Sequence, residues 1–253
     1  MTVLRKRLIP SLLLRNGRLV KGRYFRDYRD AGAPETTARA HNAQGADEIL
    51  ILDIDASREG RRPDFPALRR VAAECFMPVT FGGGIRSRED ALRALDAGAD
   101  KVSLTTAALD RPGLVEDLAY MLGSQAIVGG VDVLAGGAGP LVYDFRRDAP
   151  VDGRSVVQWI DELVARGAGE IRITCADREG SRAGMDLGLI GCLATRLKVP
   201  LVVEGGAGVL DHLAEALNAG ASGVGVGTML VFSDNNLVKI KRFLRSQNCS
   251  MRL

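Results

Sequence analysis

The sequence is poor in the residues that build metal centres and disulfide frameworks: of 253 residues, two are histidine and four are cysteine. Cys75, Cys175, Cys192 and Cys249 lie far apart, with no CxxC pair and no histidine pair nearby. That spacing speaks against a zinc site and for reduced thiols in a cytoplasmic protein. No metal and no organic cofactor is expected. Long hydrophobic runs are also missing, so no segment is expected to cross a bilayer. The stretch Met1 to Leu14 is basic and then apolar, which faintly mimics a signal peptide. Pro10 interrupts it, however, and Arg15-Asn16-Gly17-Arg18 follows with no small-residue cleavage site. It reads as a buried first strand. A net charge of only +3 does not suggest nucleic acid as a partner. Basic residues do crowd one stretch: Arg15, Arg18, Lys21, Arg23, Arg26 and Arg29. Such a stretch is either a solvated loop or a mobile loop that grips an anionic substrate, with Lys21 as the substrate-binding candidate.

What is present is alternation. Short apolar runs at Leu8–Leu14, Glu48–Ile54, Pro78–Phe81, Lys101–Leu104, Ala126–Val131, Glu170–Thr174, Pro200–Val203 and Gly223–Val226 read as strands. Amphipathic stretches between them, such as Arg88–Asp96, Val156–Ala165 and Leu210–Leu217, read as helices. Eight βα units without a linker predict the α/β class and a single (β/α)8 TIM barrel over residues 1–253.

The chain also repeats itself. Pro78-Val-Thr-Phe-Gly-Gly-Gly84, Ala97-Gly98-Ala99 and Thr106 recur 122 positions later as Pro200-Leu-Val-Val-Glu-Gly-Gly206, Ala219-Gly220-Ala221 and Thr228. The same shift carries Glu48 onto Glu170 and Asp55 onto Asp177. Two half-barrels of four units each explain the set. Each glycine cluster follows a strand, at the end where barrels keep their active sites. Glycine there lets backbone N–H groups approach phosphate oxygens. Gly83, Gly84, Thr105 and Thr106 form one candidate phosphate site, and Gly205, Gly206, Gly227 and Thr228 the other. Paired sites suggest a long substrate with a phosphate at each end.

Several motifs carry a resemblance: Gly17-Arg-Leu-Val-Lys-Gly22, Gly45-Ala-Asp-Glu48, Phe81-Gly-Gly-Gly-Ile-Arg-Ser87, Gly98-Ala-Asp-Lys101, Gly123-Ser-Gln125, Gly167-Ala-Gly-Glu170 and Gly205-Gly-Ala-Gly208. As a set they resemble the HisF family, the cyclase subunits of imidazole glycerol phosphate synthase, a lyase of histidine biosynthesis. The resemblance implies a heterodimer with a HisH-like glutaminase docked on the N-terminal face, and ammonia passing through the barrel. There it meets a phosphorylated small-molecule substrate. Arg7, Glu48, Lys101 and Glu170 match the family's ring of alternating charges at the ammonia entrance, and Asp100 is a candidate contact to the glutaminase. A structural salt-bridge layer is the plainer reading of the ring.

At the opposite face the sequence departs from the family. The family uses aspartates at the ends of strands one and five as acid and base, a pairing suited to ring closure. The strand-five residue is present as Asp132; the strand-one position is Leu13, which transfers no proton. Asp55 replaces a usual threonine, Glu204 a small residue beside the second glycine pair, and Thr105 a usual asparagine. Asp55 and Asp177 are the candidates to take over the missing role. The Leu-Leu-Leu run, Ile54-Asp-Ala-Ser57 and Glu74-Cys-Phe-Met-Pro78 resemble HisF-like paralogues of the WbuZ type, associated with glycosyl amidation in lipopolysaccharide and other surface polysaccharide. That resemblance implies ammonia passed onward for conversion of a sugar acetamido to an acetamidino group. The histidine-pathway cyclase is the alternative, and a non-catalytic scaffold that activates a glutaminase is a third reading. His41 and His212 read as surface or satisfied helix residues, Trp159 as a packing anchor, and the tail from Leu230 to Leu253 as a last helix with a solvated basic face.

Overall fold

The computed structural model describes residues 5–137, 139–231 and 233–252. Met1 to Leu4, Ala138, Phe232 and Leu253, which include parts of the leading stretch and of the tail, lie outside the described residues. The strands are β1 (Arg7–Arg15), β2 (Arg18–Arg23), β3 (Arg26–Gly32), β4 (Ile49–Asp53), β5 (Val79–Gly82), β6 (Lys101–Leu104), β7 (Ile127–Leu134), β8 (Leu141–Asp144), β9 (Ala149–Ser155), β10 (Glu170–Cys175), β11 (Leu201–Glu204) and β12 (Gly223–Val226). The helices are α1 (Pro34–Ala43), α2 (Phe65–Ala72), α3 (Arg88–Asp96), α4 (Thr106–Asp110), α5 (Gly113–Leu122), α6 (Val156–Ala165), α7 (Leu187–Arg196), α8 (Leu210–Asn218), α9 (Thr228–Val231) and α10 (Leu237–Ser246).

Eight of the strands run parallel in the order β1-β4-β5-β6-β7-β10-β11-β12, and β12 pairs back onto β1. The sheet closes as a (β/α)8 barrel, which leaves no free edge among these eight strands. Strand alternation sorts the side chains. Leu8, Leu12, Ile49, Ile51, Val102 and Ile171 join the main core beneath the helices, whereas Ile9, Leu50 and Val202 form a separate small cluster with Leu52. That second cluster fills the barrel axis.

The helices begin where short polar side chains can bond the free N–H groups of the first turn. Asp64, Ser87, Asp186 and Asn236 accept from the N–H of Ala67, Asp90, Leu189 and Lys239, caps worth ~1 kcal/mol each. Trp159 anchors α6 as expected, fully buried, with the Arg154 guanidinium 4.2 Å from its ring centroid.

The repeat is visible in the packing. A Cβ on Gly83 would fall 2.1 Å from the Asp53 carbonyl oxygen, and one on Gly205 2.6 Å from that of Cys175. Gly84 likewise faces Ala56, and a Cβ on Gly206 would meet the Gly184 carbonyl, with Arg178 Cβ beside it at 3.3 Å. The partners, 53 with 175 and 56 with 178, are again 122 positions apart. Both turns therefore require glycine for the same reason, close backbone approach at positive φ (+91° and +95° at Gly83 and Gly205).

Three readings need correction. The basic stretch is no loop: β2 and β3 form an antiparallel hairpin continuing from β1. Its tip residues Tyr24 and Phe25 both sit at positive φ, where hairpins ordinarily place Asn-Gly. The tail helix is not solvated throughout, because Lys241 Nζ is buried 2.6 Å from Asp47 Oδ1. His41 is buried rather than surface-lying, its Nδ1 without a hydrogen-bond partner.

Candidate functional site

At the N-terminal end of the barrel, inward-facing residues at or just before the strand starts meet in a closed ring. Arg7 lies 2.7 Å from Glu48 and 2.8 Å from Glu170; Lys101 lies 2.9 Å and 3.3 Å from the same two acids. Each cation is thus shared by both carboxylates, and Thr80 Oγ1 donates to Glu48 at 2.6 Å. Burial alone would raise the Glu48 carboxyl; Lys101, Arg7 and the Thr80 hydroxyl outweigh it and hold it below the ordinary range. Above the ring comes the apolar collar of Ile9, Leu50 and Val202. Asp100 stands on the exposed surface at this end, yet its carboxylate accepts from Val79 N–H at 2.8 Å.

At the C-terminal end lies a chamber of about 90 Å³ whose floor is formed by Ser11, Ser103, Arg172 and Glu204. Gly83, Gly84, Thr105 and Thr106 line it, as do Lys21, Asp55 and Asp132. Two hairpins cover it. The β2–β3 tip contributes Phe25, and the turn between β8 and β9 contributes Phe145, with the Arg58 guanidinium 5.5 Å from its ring centroid. The hairpins touch through Phe25 and Tyr143, 6.1 Å between centroids, and through the Arg26–Asp148 ion pair.

Asp132 ends the inward row of β7 and is fully buried. Burial pushes its carboxyl up to about 6; Glu204 adds to the rise, while Arg172 and a hydrogen bond from Thr174 oppose it. A carboxyl poised there is suited to passing protons near neutral pH. Leu13, at the corresponding place on β1, lines the same chamber with an apolar side chain. Asp55 is buried and ion-paired with Arg15 at 2.6 Å. Asp177 stands apart: it accepts from Ala135 N–H at 3.1 Å and lines a separate surface cleft beside Tyr24 and Tyr143. The chamber therefore gathers Asp132 and Asp55 but not Asp177.

The two candidate phosphate sites differ in their surroundings. In the first, Ser57 Oγ accepts from Gly84 N–H (3.0 Å) and from the Thr106 hydroxyl (3.1 Å). In the second, Lys21 leans across the end of β12, where a Cβ on Gly227 would fall 2.3 Å from its Nζ. Lys21 is ion-paired with Glu179 at 2.5 Å, and Thr228 Oγ1 is buried with no hydrogen-bond partner. Sequence reasoning missed Arg172, whose guanidinium donates to Thr174 Oγ1 (2.6 Å) and Thr105 Oγ1 (3.3 Å). The signal was there: in Glu170-Ile-Arg-Ile-Thr174, alternation puts Arg172 on the inward side with Glu170 and Thr174.

A parallel eight-stranded barrel with a charged base and a glycine-lined, acid-bearing mouth puts the chain among the (β/α)8 barrels that carry a polar chamber at the C-terminal ends of their strands. The comparisons narrow this. Residues 7–236 match the family model described as histidine biosynthesis protein, and the chain belongs to that family. It is 41% identical over 251 residues to the imidazole glycerol phosphate synthase subunit HisF of Gluconacetobacter diazotrophicus, covering 99% of this chain and 97% of that one. Identity to the HisF subunit of Exiguobacterium sibiricum is 40%, over 99% of this chain and 100% of the relative. For the Wolinella succinogenes subunit it is 39%, with both chains covered in full. Among the described residues no helix is long and apolar enough to cross a membrane, and no cluster of three metal-ligating side chains occurs.

Proposed function

We propose that this chain is a cytoplasmic, ammonia-using synthase subunit of the HisF type, working with a HisH-like glutaminase docked on its N-terminal end. The observation that carries the reading is the coaxial arrangement of the closed charge ring, the apolar collar and the glycine-lined chamber. Paired charges at the entrance tolerate a polar molecule, whereas the collar favours neutral ammonia over the ammonium ion, whose desolvation is far costlier. Two aromatic side chains support the docking face. Phe76 and Tyr120 are 93% and 95% exposed, in segments that lead into β5 and β7 and hence at the ring end of the barrel. Exposed aromatics of this kind are common anchors of protein interfaces.

The ammonia acceptor we favour is a sugar acetamido group, converted to an acetamidino group with an accompanying amidotransferase for surface polysaccharide. Leu13 supports it, because imidazole ring closure needs a proton carrier where this leucine stands. The unpaired Thr228 hydroxyl and the Lys21 ammonium leaning over Gly227 support a phosphate or similar anion on the substrate. A second reading is the histidine-pathway cyclase itself, favoured by full-length identity near 40% to subunits bearing that name. Purified chain, ammonium chloride and the bisphosphorylated ribulosyl aminoimidazole carboxamide nucleotide separate the two. Absence of imidazole glycerol phosphate, with acetamidino sugar formed once glutaminase and amidotransferase are added, upholds the amidation reading. Cyclisation at an ordinary enzymatic rate overturns it.

A further inference from the structure

Apart from Asp55 Oδ2, which is ion-paired with Arg15, four buried polar atoms in the mouth chamber have no hydrogen-bond partner: Ser11 Oγ, Ser103 Oγ, Arg172 Nε and Glu204 Oε1. Burying such atoms without partners forfeits the hydrogen bonds they make to water in the unfolded chain. Their convergence in one chamber marks a place built around a small polar molecule rather than a set of packing faults. It sits just above the apolar collar, where a nitrogen nucleophile would emerge.

Glu204 is the acid of that group, and its path is unusual. It ends β11, but its side chain does not stay over its own strand. Across β12 the inward positions 223, 225 and 227 are all glycine, and Glu204 lies over Gly225, the register partner of Ile9 on β1. The strand between β11 and β1 is thus stripped of side chains, and a carboxylate from β11 occupies the gap on the β1 side. On β1 itself the mouth residue is Leu13. Asp132 stands two strands away on β7, and on β10 between the two carboxylates lies Arg172, with Nη1 3.5 Å from Glu204 Oε1 and Thr174 linking its guanidinium to Asp132. The other charged groups at the mouth already have partners: Lys21 with Glu179, Asp55 with Arg15, and Asp144 with Arg146.

We propose that Glu204 is the second carboxylate of the reaction chamber, the partner of Asp132 that the first strand does not provide, with Arg172 as the positioning residue that joins them. This rests on the ammonia-using reading but not on the choice of acceptor. As ammonia adds to a carbonyl-type carbon, its lone pair forms the C–N bond and the C=O π pair moves to oxygen. The Glu204 carboxylate takes one proton from the now cationic nitrogen, and the Asp132 carboxylic acid gives one to the oxygen. One proton leaves and one arrives, so the chamber's charge is unchanged.

The test has an activity arm and an arm without activity. With ammonium chloride as nitrogen source, Glu204→Gln should lower kcat ~10²–10⁴-fold with KM little changed, as loss of a general base does. Glu204→Asp should keep part of the rate, and Leu13→Asp added to Glu204→Gln should recover part of it. A Glu204→Gln enzyme within threefold of the parent overturns the proposal. Independently, carbon-13 carboxyl NMR follows the titration of Asp132. Glu204→Gln should move its midpoint down and Arg172→Met should move it up. Absence of both shifts overturns the pairing, whatever the acceptor. If the parent protein uses ammonia with neither acceptor while both shifts occur, the synthase reading falls and the carboxylate pair stands.

Discussion

Glu204 and Gly225 interlock: a Cβ on the glycine would fall 2.2 Å from Glu204 Cγ and 3.1 Å from its Oε1. Gly225→Ala therefore has to displace a buried carboxylate held near Arg172. The expected cost is ~1–3 kcal/mol, in the range of overpacking a core, measured by urea unfolding. Glu204→Ala should relieve it, so the double variant should be more stable than the sum of the single effects allows.

The basal ring should respond to loss of either cation. Lys101→Met leaves Glu48 and Glu170 sharing Arg7 alone, and removing one partner from such a buried arrangement costs ~3–5 kcal/mol. The Glu48 carboxyl is held below its ordinary value, so its share of the stability is present above that value and lost on acidification. In Lys101→Met the folded value of Glu48 rises, since the first of the opposing cations has gone, so the acid limb of a stability-versus-pH curve should be shallower than in the parent.

Asp132 should run the other way. Its folded value is raised to about 6 from 3.8, so the folded protein binds more protons than the unfolded chain between those limits. The contribution is full below the lower limit and is lost as pH rises through about 6. The span corresponds to on the order of 3 kcal/mol. Asp132→Asn should remove this slope and give a protein more stable than the parent at pH 8, read as a higher Tm.

His41 supplies the opposite slope in nearly the same window. Burial lowers its imidazole to about 4 from 6.5, so the unfolded chain takes up the proton first. Its stability is complete above the ordinary value and falls as pH drops toward about 4. His41→Gln should flatten that fall, and combined with Asp132→Asn it should leave the net slope between pH 4 and 6 close to the parent's, because the two contributions oppose each other, measured by thermal melts across the range.

On the exposed ring end, Phe76→Ser with Tyr120→Ser should weaken association with a cognate glutaminase by at least about tenfold, the cost of a typical interface anchor. The Tm of the isolated chain should not move. Calorimetric titration with the glutaminase reads the first effect, and a melt of the free chain reads the second.

Much of this was legible in the residues. Periodicity located all eight barrel strands and the bounds of α3 and α6, because parallel strands buried on both faces read as apolar runs between amphipathic helices. The ring was legible because Arg7, Lys101 and Glu170 open their strands and Glu48 immediately precedes β4. The β2–β3 hairpin was not: its strands are charged and mostly exposed, so no alternation of apolar residues announced it. Asp177 looked like a mouth residue because the repeat carries Asp55 onto it. Asp55 turns into the chamber toward Arg15, whereas the Asp177 side chain goes to the Ala135 N–H, a backbone contact no sequence pattern displays. Glu204 looked like an obstacle to phosphate because its spatial neighbours, Arg172 and the bare inner face of β12, come together only in three dimensions.

The seclusion of the basal ring bears on how ionic strength acts at this end of the molecule. Pairs such as Arg196–Asp161 and Arg39–Glu74 stand in solvent and fade as salt is added, whereas Arg7 and Lys101 sit among their acids largely shielded from counterions. Sodium chloride is thus a selective reagent here. It can loosen whatever is held to the surface by charge while the ring itself stays latched.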